Sequence, residues 1–114
     1  MADHILKNIE AEQALTMAAL VTYQQGQIVS RTLTQNAAVS ITLFAFDQGE
    51  EISAHESRGD ALIHVLDGTA TITIGGTAHT VNAGQAIVMP ANVPHAVMAP
   101  ARFKMMLVVV FPAN

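Results

Sequence analysis

The fold is decided by two segments, GEEISAHESRGDA at residues 49–61 and GQAIVMPANVPH at residues 84–95. Each segment opens on a glycine and contains one histidine, His55 in the first and His95 in the second. The first runs directly into LIHVLDG, an almost wholly apolar stretch that ends on Gly68. A glycine at either end of an apolar run is typical of strands joined by tight turns, because glycine adopts the positive φ that such turns need.

The two segments resemble the two motifs of the cupin family, in spacing and in order. The resemblance lies in the glycine, proline and histidine positions and covers roughly residues 27–111. It implies an all-β fold, the antiparallel β-barrel of the RmlC-like type (also called a jelly roll or double-stranded β-helix). In that family three histidines and one glutamate usually hold a divalent metal ion. Here Ser57 stands at the second histidine position and Ala61 at the glutamate position, so the motif is degenerate.

The resemblance therefore makes His55 and His95 the candidate metal ligands and places Ser57 and Ala61 in the same pocket. A third ligand has to come from elsewhere, and Asp60, one position before Ala61, is the nearest carboxylate in the sequence. A one-residue shift of the strand is needed to turn Asp60 inward, and it would also invert the apolar pattern that follows. Two imidazoles alone predict a divalent metal (zinc, nickel, iron or manganese) that is weakly bound and completed by water or ligand oxygens.

Alternating apolar residues predict most of the strands. The pattern from Gln27 to Phe111 is a series of short β-branched and apolar runs separated by Gly and Pro, which is typical of a sandwich or barrel. Gly75-Gly76 between two alternating runs predicts a two-residue hairpin. Within the apolar run after Asp60, we expect Ala61, Ile63 and Val65 to share one face and Leu62, His64 and Leu66 the other.

The chain is predicted to form one domain over residues 1–114, with a core barrel at about 27–111 and an N-terminal extension at 1–26. Residues 10–20 are rich in helix-forming side chains and predict a short helix or a turn.

The chain has no cysteine, which excludes disulfides and thiolate chemistry. The N-terminus lacks the pattern of a signal peptide, and we expect a cytoplasmic protein.

The composition indicates which classes of partner this protein binds. Five Lys and Arg residues and a net charge of −4 argue against nucleic acid, which binds clustered cations. No apolar run is long enough for a membrane helix. The apolar fraction of 51% is more than a small monomer easily buries, so we expect a homodimer. The N-terminal segment with Ile5, Leu6, Ile9 and Leu15 is expected to cross to the second copy.

The sequence leaves three functions open. The first is a metal-assisted enzyme of the dioxygenase, isomerase or decarboxylase class that acts on a small polar organic substrate. The second is a barrel that binds a small molecule without turnover. The third is a metal-independent epimerase or isomerase, in which His55 or His95 acts as the proton-transfer base. All three need the same cavity, so the fold does not choose among them.

Overall fold

The computed structural model describes residues 4–113 and confirms the predicted all-β, antiparallel barrel; residues 1–3 and 114 of the predicted domain lie outside the described residues. The only helical element in the described range is a single 3₁₀ turn, Met17–Leu20. The nine strands of this range are β1 Ile28–Gln35, β2 Val39–Phe46, β3 Glu51–His55, β4 Asp60–Asp67, β5 Thr69–Ile74, β6 Thr77–Asn82, β7 Ala86–Met89, β8 His95–Met98 and β9 Phe103–Val110. None of the described helices is long and apolar enough to cross a membrane.

The strands form two antiparallel sheets that face each other. The larger sheet has the order β1-β2-β9-β4-β7, and the smaller has the order β3-β8-β5-β6. Consecutive strands therefore often lie in different sheets, as β3 and β4 do. β3 pairs with β8 in the smaller sheet and β4 pairs with β7 in the larger, so the two motif segments lie side by side in both sheets. The predicted hairpin is confirmed, since Gly75 and Gly76 join β5 to β6 with φ of 55° and 86°.

The inner faces of the two sheets form the main core. Ala61, Ile63 and Val65 are fully or almost fully buried there, as their alternation predicts. The rings of Phe46, which ends β2, and Phe103, which begins β9, stack in this core with 4.6 Å between their centroids. Because one end of the barrel is filled in this way, the open space lies towards the other end, where β3 and β8 carry the histidines.

The N-terminal segment covers part of the outer face of the larger sheet. The Lys7 N–H donates to the Leu33 carbonyl at 2.6 Å, and the Asn8 side chain donates to the Thr32 carbonyl. Ile9 packs against a second apolar cluster that includes the buried Leu33. Residues 10–20 do not form an α-helix; the positive φ of 60° at Glu12 interrupts the helical backbone before the 3₁₀ turn begins.

A polar network holds the end of this segment in place. The Asp47 carboxylate accepts hydrogen bonds from the Gly26 N–H at 2.7 Å and from Arg102 at 2.8 Å, and these bonds lower its pKa to about 2. Lys104 donates to the Ala18 carbonyl at 2.7 Å and lies over the Tyr23 ring. The extension is therefore attached to the barrel before β1 begins.

Candidate functional site

The two candidate histidines are direct cross-strand neighbours. In the pairing of β3 with β8, His55 lies opposite His95. Their imidazoles are 4.4 Å apart between centroids and inclined at 69°, an edge-to-face arrangement. Directly opposed residues in an antiparallel pair have Cβ atoms about 4.5–5.5 Å apart, so the register itself brings the rings together.

Each imidazole is oriented by the backbone two residues before it. His55 Nδ1 lies 3.0 Å from the Ser53 carbonyl oxygen, and His95 Nδ1 lies 3.1 Å from the Val93 carbonyl oxygen. A carbonyl oxygen only accepts, so Nδ1 carries the proton and donates in both residues. In the neutral ring this leaves Nε2 as the basic nitrogen, which is the form that binds a metal ion or takes a proton.

The two histidines differ in their surroundings. His95 is 3% exposed, whereas His55 is exposed at the rim of the barrel. Burial lowers the pKa of the His95 imidazole below 6.5, and the neighbouring His55 lowers it further, against the opposing effect of the bond to Val93. His95 therefore remains neutral at pH values where a free imidazole is already partly protonated.

The loops that carry the two motifs are bonded to each other. The Asn92 N–H donates to the Ser57 carbonyl at 2.7 Å, and the Ala91 N–H donates to Asp60 Oδ1 at 2.8 Å. Asn92 has a φ of 63°, a left-handed conformation that asparagine adopts more readily than most residues. These bonds fix the position of the loop that leads into His95 relative to the segment that follows His55.

A cavity of about 410 Å³ opens beside the histidine pair, within the size range of small-molecule sites. Its wall is mostly aliphatic, aromatic and thioether side chains from both sheets: Phe44, Ile52, Ala61, Ile63, Met89, Val97, Met105, Leu107, Val109 and Phe111. Its polar lining consists of Gln35, Ser40, His55, Glu56, Ser57 and His95. Four of the residues named from the sequence, the two histidines with Ser57 and Ala61, therefore line one cavity.

Asp60 is placed elsewhere. Its carboxylate is engaged with the Ala91 N–H, and Asp60 does not line the cavity. The register of β4 against β7 pairs Ala61 with Met89 and keeps Ala61 on the inner face, without the one-residue shift that an inward Asp60 requires. Ser57 is half-buried, and its hydroxyl accepts a hydrogen bond from the Gly59 N–H at 3.2 Å.

Several lining residues lie outside both motifs and are not apparent from the motifs. Gln35 ends β1, Ser40 and Phe44 lie on β2, and Phe111 follows β9. The sequence does indicate the two residues on β2. Ser40 and Phe44 alternate with Val39, Ile41 and Leu43, and those three share the opposite face of the strand. Leu43 and Ile41 lie in the outer cluster under the N-terminal segment, so the face with Ser40 and Phe44 is the inner one.

The family assignment rests on a long continuous stretch of the sequence and not on the two motifs alone. A model of the cupin domain matches residues 42–111, which is more than half of the chain. The chain belongs to the cupin family. This confirms the resemblance seen in the two motifs, and the same stretch contains both histidines and most of the cavity wall.

Solved structures of similar proteins show the same barrel. A conserved protein of unknown function from Streptococcus pyogenes is 44% identical over the whole of both chains, with a TM-score of 0.97. A cupin superfamily protein from Desulfitobacterium hafniense is 34% identical over 94% of this chain and 98% of that one, with a TM-score of 0.89. No match was found among the curated proteins.

A more distant likeness concerns the fold alone. A mutant form of salicylate 1,2-dioxygenase from Pseudoaminobacter salicylatoxidans is 14% identical over 73% of this chain and 26% of that one, with a TM-score of 0.67. The barrel is thus shared with an enzyme of a different size, and the chemistry of this cupin has to be argued from its own residues.

Proposed function

We propose that this cupin binds a small organic molecule in its barrel cavity, and that His55 and His95 contact the polar group of that molecule. The observation that carries the proposal is the imidazole pair, 4.4 Å apart between ring centroids, with both Nδ1 atoms engaged and both Nε2 atoms left for a ligand. The rest of the wall is largely apolar, so the bound molecule has an apolar body. Few polar groups in an apolar cleft are typical of a small-molecule site.

The pair also supports proton transfer as a second candidate function. A general base works best when it is neutral at the working pH and lies within hydrogen-bond reach of the proton that it takes. The lowered pKa of His95 satisfies the first condition near neutral pH. Any ligand in the cavity whose polar group reaches Nε2 would bring its proton within hydrogen-bond distance, which is the second condition. This candidate is the metal-independent epimerase or isomerase chemistry considered from the sequence.

A tightly held metal ion does not fit the donor set. Ser57 and Ala61 occupy two of the four usual ligand positions, and residues 4–113 contain no cluster of three or more His, Cys, Asp or Glu side chains able to hold a metal. A structural or catalytic zinc site uses three or four protein ligands. We propose instead that a divalent ion binds weakly to the two imidazoles, and no step of the proposed function depends on it.

The proposed binding site is tested by filling the cavity with a larger side chain. Small aromatic and aliphatic fragments are expected to bind the wild type with millimolar or tighter affinity in ligand-observed NMR. The Ala61→Phe variant should bind none of them, because residue 61 lies in the cavity wall and is 2% exposed. The His95→Gln variant should bind fragments with a polar group about tenfold more weakly, since one hydrogen bond to a buried group is lost.

The matched control is Ala78→Phe, which adds the same ring at an exposed position on β6. It should bind the fragments as the wild type does. Fragments that still bind to a folded Ala61→Phe variant, or that are insensitive to His95→Gln, would place the binding site outside the cavity.

We also propose a homodimer that forms through the outer face of the larger sheet. Val108, Leu62 and Val88 lie side by side across β9, β4 and β7, beside the area that the N-terminal segment covers. Leu62 is 40% exposed and Val88 52% exposed in the single chain. An uncharged row across three strands is the kind of surface that a second copy covers.

The N-terminal residues add to this argument. Ile5 and Leu6 are exposed, although the neighbouring Lys7 is bonded to β1. Their crossing to the partner, as expected from the sequence, stays a prediction.

The dimer prediction is tested with one charge. Leu62→Asp should convert a dimer into a monomer at micromolar concentration in sedimentation equilibrium, because a carboxylate would be buried without a partner. Met98→Asp is the control: Met98 is 41% exposed, but it lies on the smaller sheet. A wild-type monomer, or a dimer that only Met98→Asp dissociates, would contradict the proposed face.

A further inference from the structure

The cavity lining has an unbalanced set of polar groups. It contains no Lys or Arg among the described residues, and its one formally charged side chain is the carboxylate of Glu56. The nearest cation in the sequence, Arg58, lies over the ring of Phe111 at 5.2 Å from its centroid and does not line the cavity. A ligand anion would therefore meet a negative charge at Glu56 and no fixed positive charge.

The histidine pair adds acceptors to this set. Because Nδ1 donates to a backbone carbonyl in both rings, each neutral imidazole offers Nε2 as an acceptor. Two adjacent acceptors are satisfied by a hydrogen-bond donor on the ligand. A carboxylate, which only accepts, would be opposed by both nitrogen lone pairs unless an imidazole takes a proton first.

The inner part of the site gives a ligand anion no charged partner. His95 is 3% exposed, and no cationic side chain in the described part of the chain lines the cavity beside it. An unpaired carboxylate in an apolar cavity is costly, whereas a neutral hydroxyl that donates to Nε2 is not. The site thus discriminates by charge as well as by shape.

The walls favour a flat apolar body. Phe44 and Phe111 line the cavity from the side of the larger sheet, and the aliphatic side chains of Leu107, Val109 and Ile52 line it as well. Aromatic side chains bind aromatic rings in edge-to-face or offset contacts, which add to the gain from burial alone.

We infer that the cavity takes a neutral hydroxylated aromatic molecule of the phenol class, whose hydroxyl donates to Nε2 of the histidine pair, in preference to the corresponding aromatic carboxylate. This inference rests on the proposed function, since it names the class of molecule for the same cavity. It goes beyond that function by fixing the charge and the hydrogen-bonding role of the ligand.

Three probes of matched shape test the inference: 4-ethylphenol, 4-ethylanisole and 4-ethylbenzoate. They are titrated against the full chain by calorimetry at pH 8, above the ordinary imidazole pKa of about 6.5 and below the phenol pKa of about 10. The phenol should bind about tenfold more tightly than the anisole, which cannot donate, and more tightly still than the ionised benzoate. In His95→Gln the advantage of the phenol over the anisole should shrink, whereas His79→Ala, an exposed histidine on β6, should leave it unchanged.

The outcomes separate the two proposals. Benzoate that binds as tightly as the phenol, or anisole that equals it, would overturn the phenol class while leaving a functional cavity. Failure of all three probes to bind at millimolar concentration would contradict the small-molecule site itself and the inference with it.

Discussion

A double variant, Ser57→His with Ala61→Glu, is expected to bind zinc or nickel on the order of a hundredfold more tightly than the wild type, or better. Residues that only hydrogen-bond to metal ligands and orient them already change metal affinity by about 10–100-fold. The double variant adds two further ligands to the ion itself. The physical reason is that Ser57 and Ala61 line the same cavity as His55 and His95. The four side chains would then complete the ligand set that the family usually uses. Isothermal titration with each metal, after removal of bound ions by chelator, measures the change.

The control shifts the same two substitutions along the chain. Arg58→His with Leu62→Glu introduces identical groups at exposed positions, one residue further in each case; the charge at residue 62 also opposes the proposed dimer, so metal affinity is measured per chain. It should leave metal affinity at the wild-type level. Adding His55→Ala and His95→Ala to the Ser57→His, Ala61→Glu background should remove the gain. A folded double variant with no gain in affinity would show that the four positions do not converge on one point.

Gly68→Ala is expected to destabilise the fold by about 2–5 kcal/mol. Gly68 connects β4 to β5 with a φ of 74°, and a Cβ there would lie 2.2 Å from the Arg102 carbonyl oxygen. The positive φ costs an L-residue about 1–2 kcal/mol, and overpacking adds about 1–3 kcal/mol. Because β9 begins at Phe103, the displaced backbone is that of the central strand of the larger sheet. Urea unfolding followed by circular dichroism measures the difference.

Gly76→Ala is the matched control for this substitution. Gly76 has a φ of 86°, but no atom lies within 4 Å of the added Cβ. It should lose only the conformational part, about 1–2 kcal/mol. Equal losses for the two variants would show that the contact with Arg102 does not limit the turn.

The long strands could be predicted because their side chains alternate or are continuously apolar. The inward set Ala61, Ile63 and Val65 follows from that period alone, and the two glycines at 75 and 76 fix a hairpin. The short strands β3 and β8 carry the histidines but have only five and four residues, and much of β3 is exposed. Their pairing depends on the closure of the barrel, which no local pattern encodes.

Only the site residues that lie within the two motifs could be predicted from the sequence. The spacing of the two segments pointed to His55 and His95, whereas the Nδ1 bonds that orient both rings arise from backbone geometry at Ser53 and Val93. Phe44, on β2, enters the cavity through the register of the larger sheet. The position of Asp60 likewise depends on a tertiary contact, since the Ala91 N–H lies 31 residues away in the sequence.

Nitrogen-15 NMR of the imidazoles at pH 8 tests the paired site most directly. We expect Nδ1 to carry the proton in both His55 and His95, because it donates to a backbone carbonyl in each ring. We also expect the Nε2 resonances of both rings to shift together when 4-ethylphenol or zinc is added, while His79 does not respond. A proton on Nε2 with a bare Nδ1 in either ring, or a shift confined to one of the two histidines, would contradict the claim that this pair forms a single binding site.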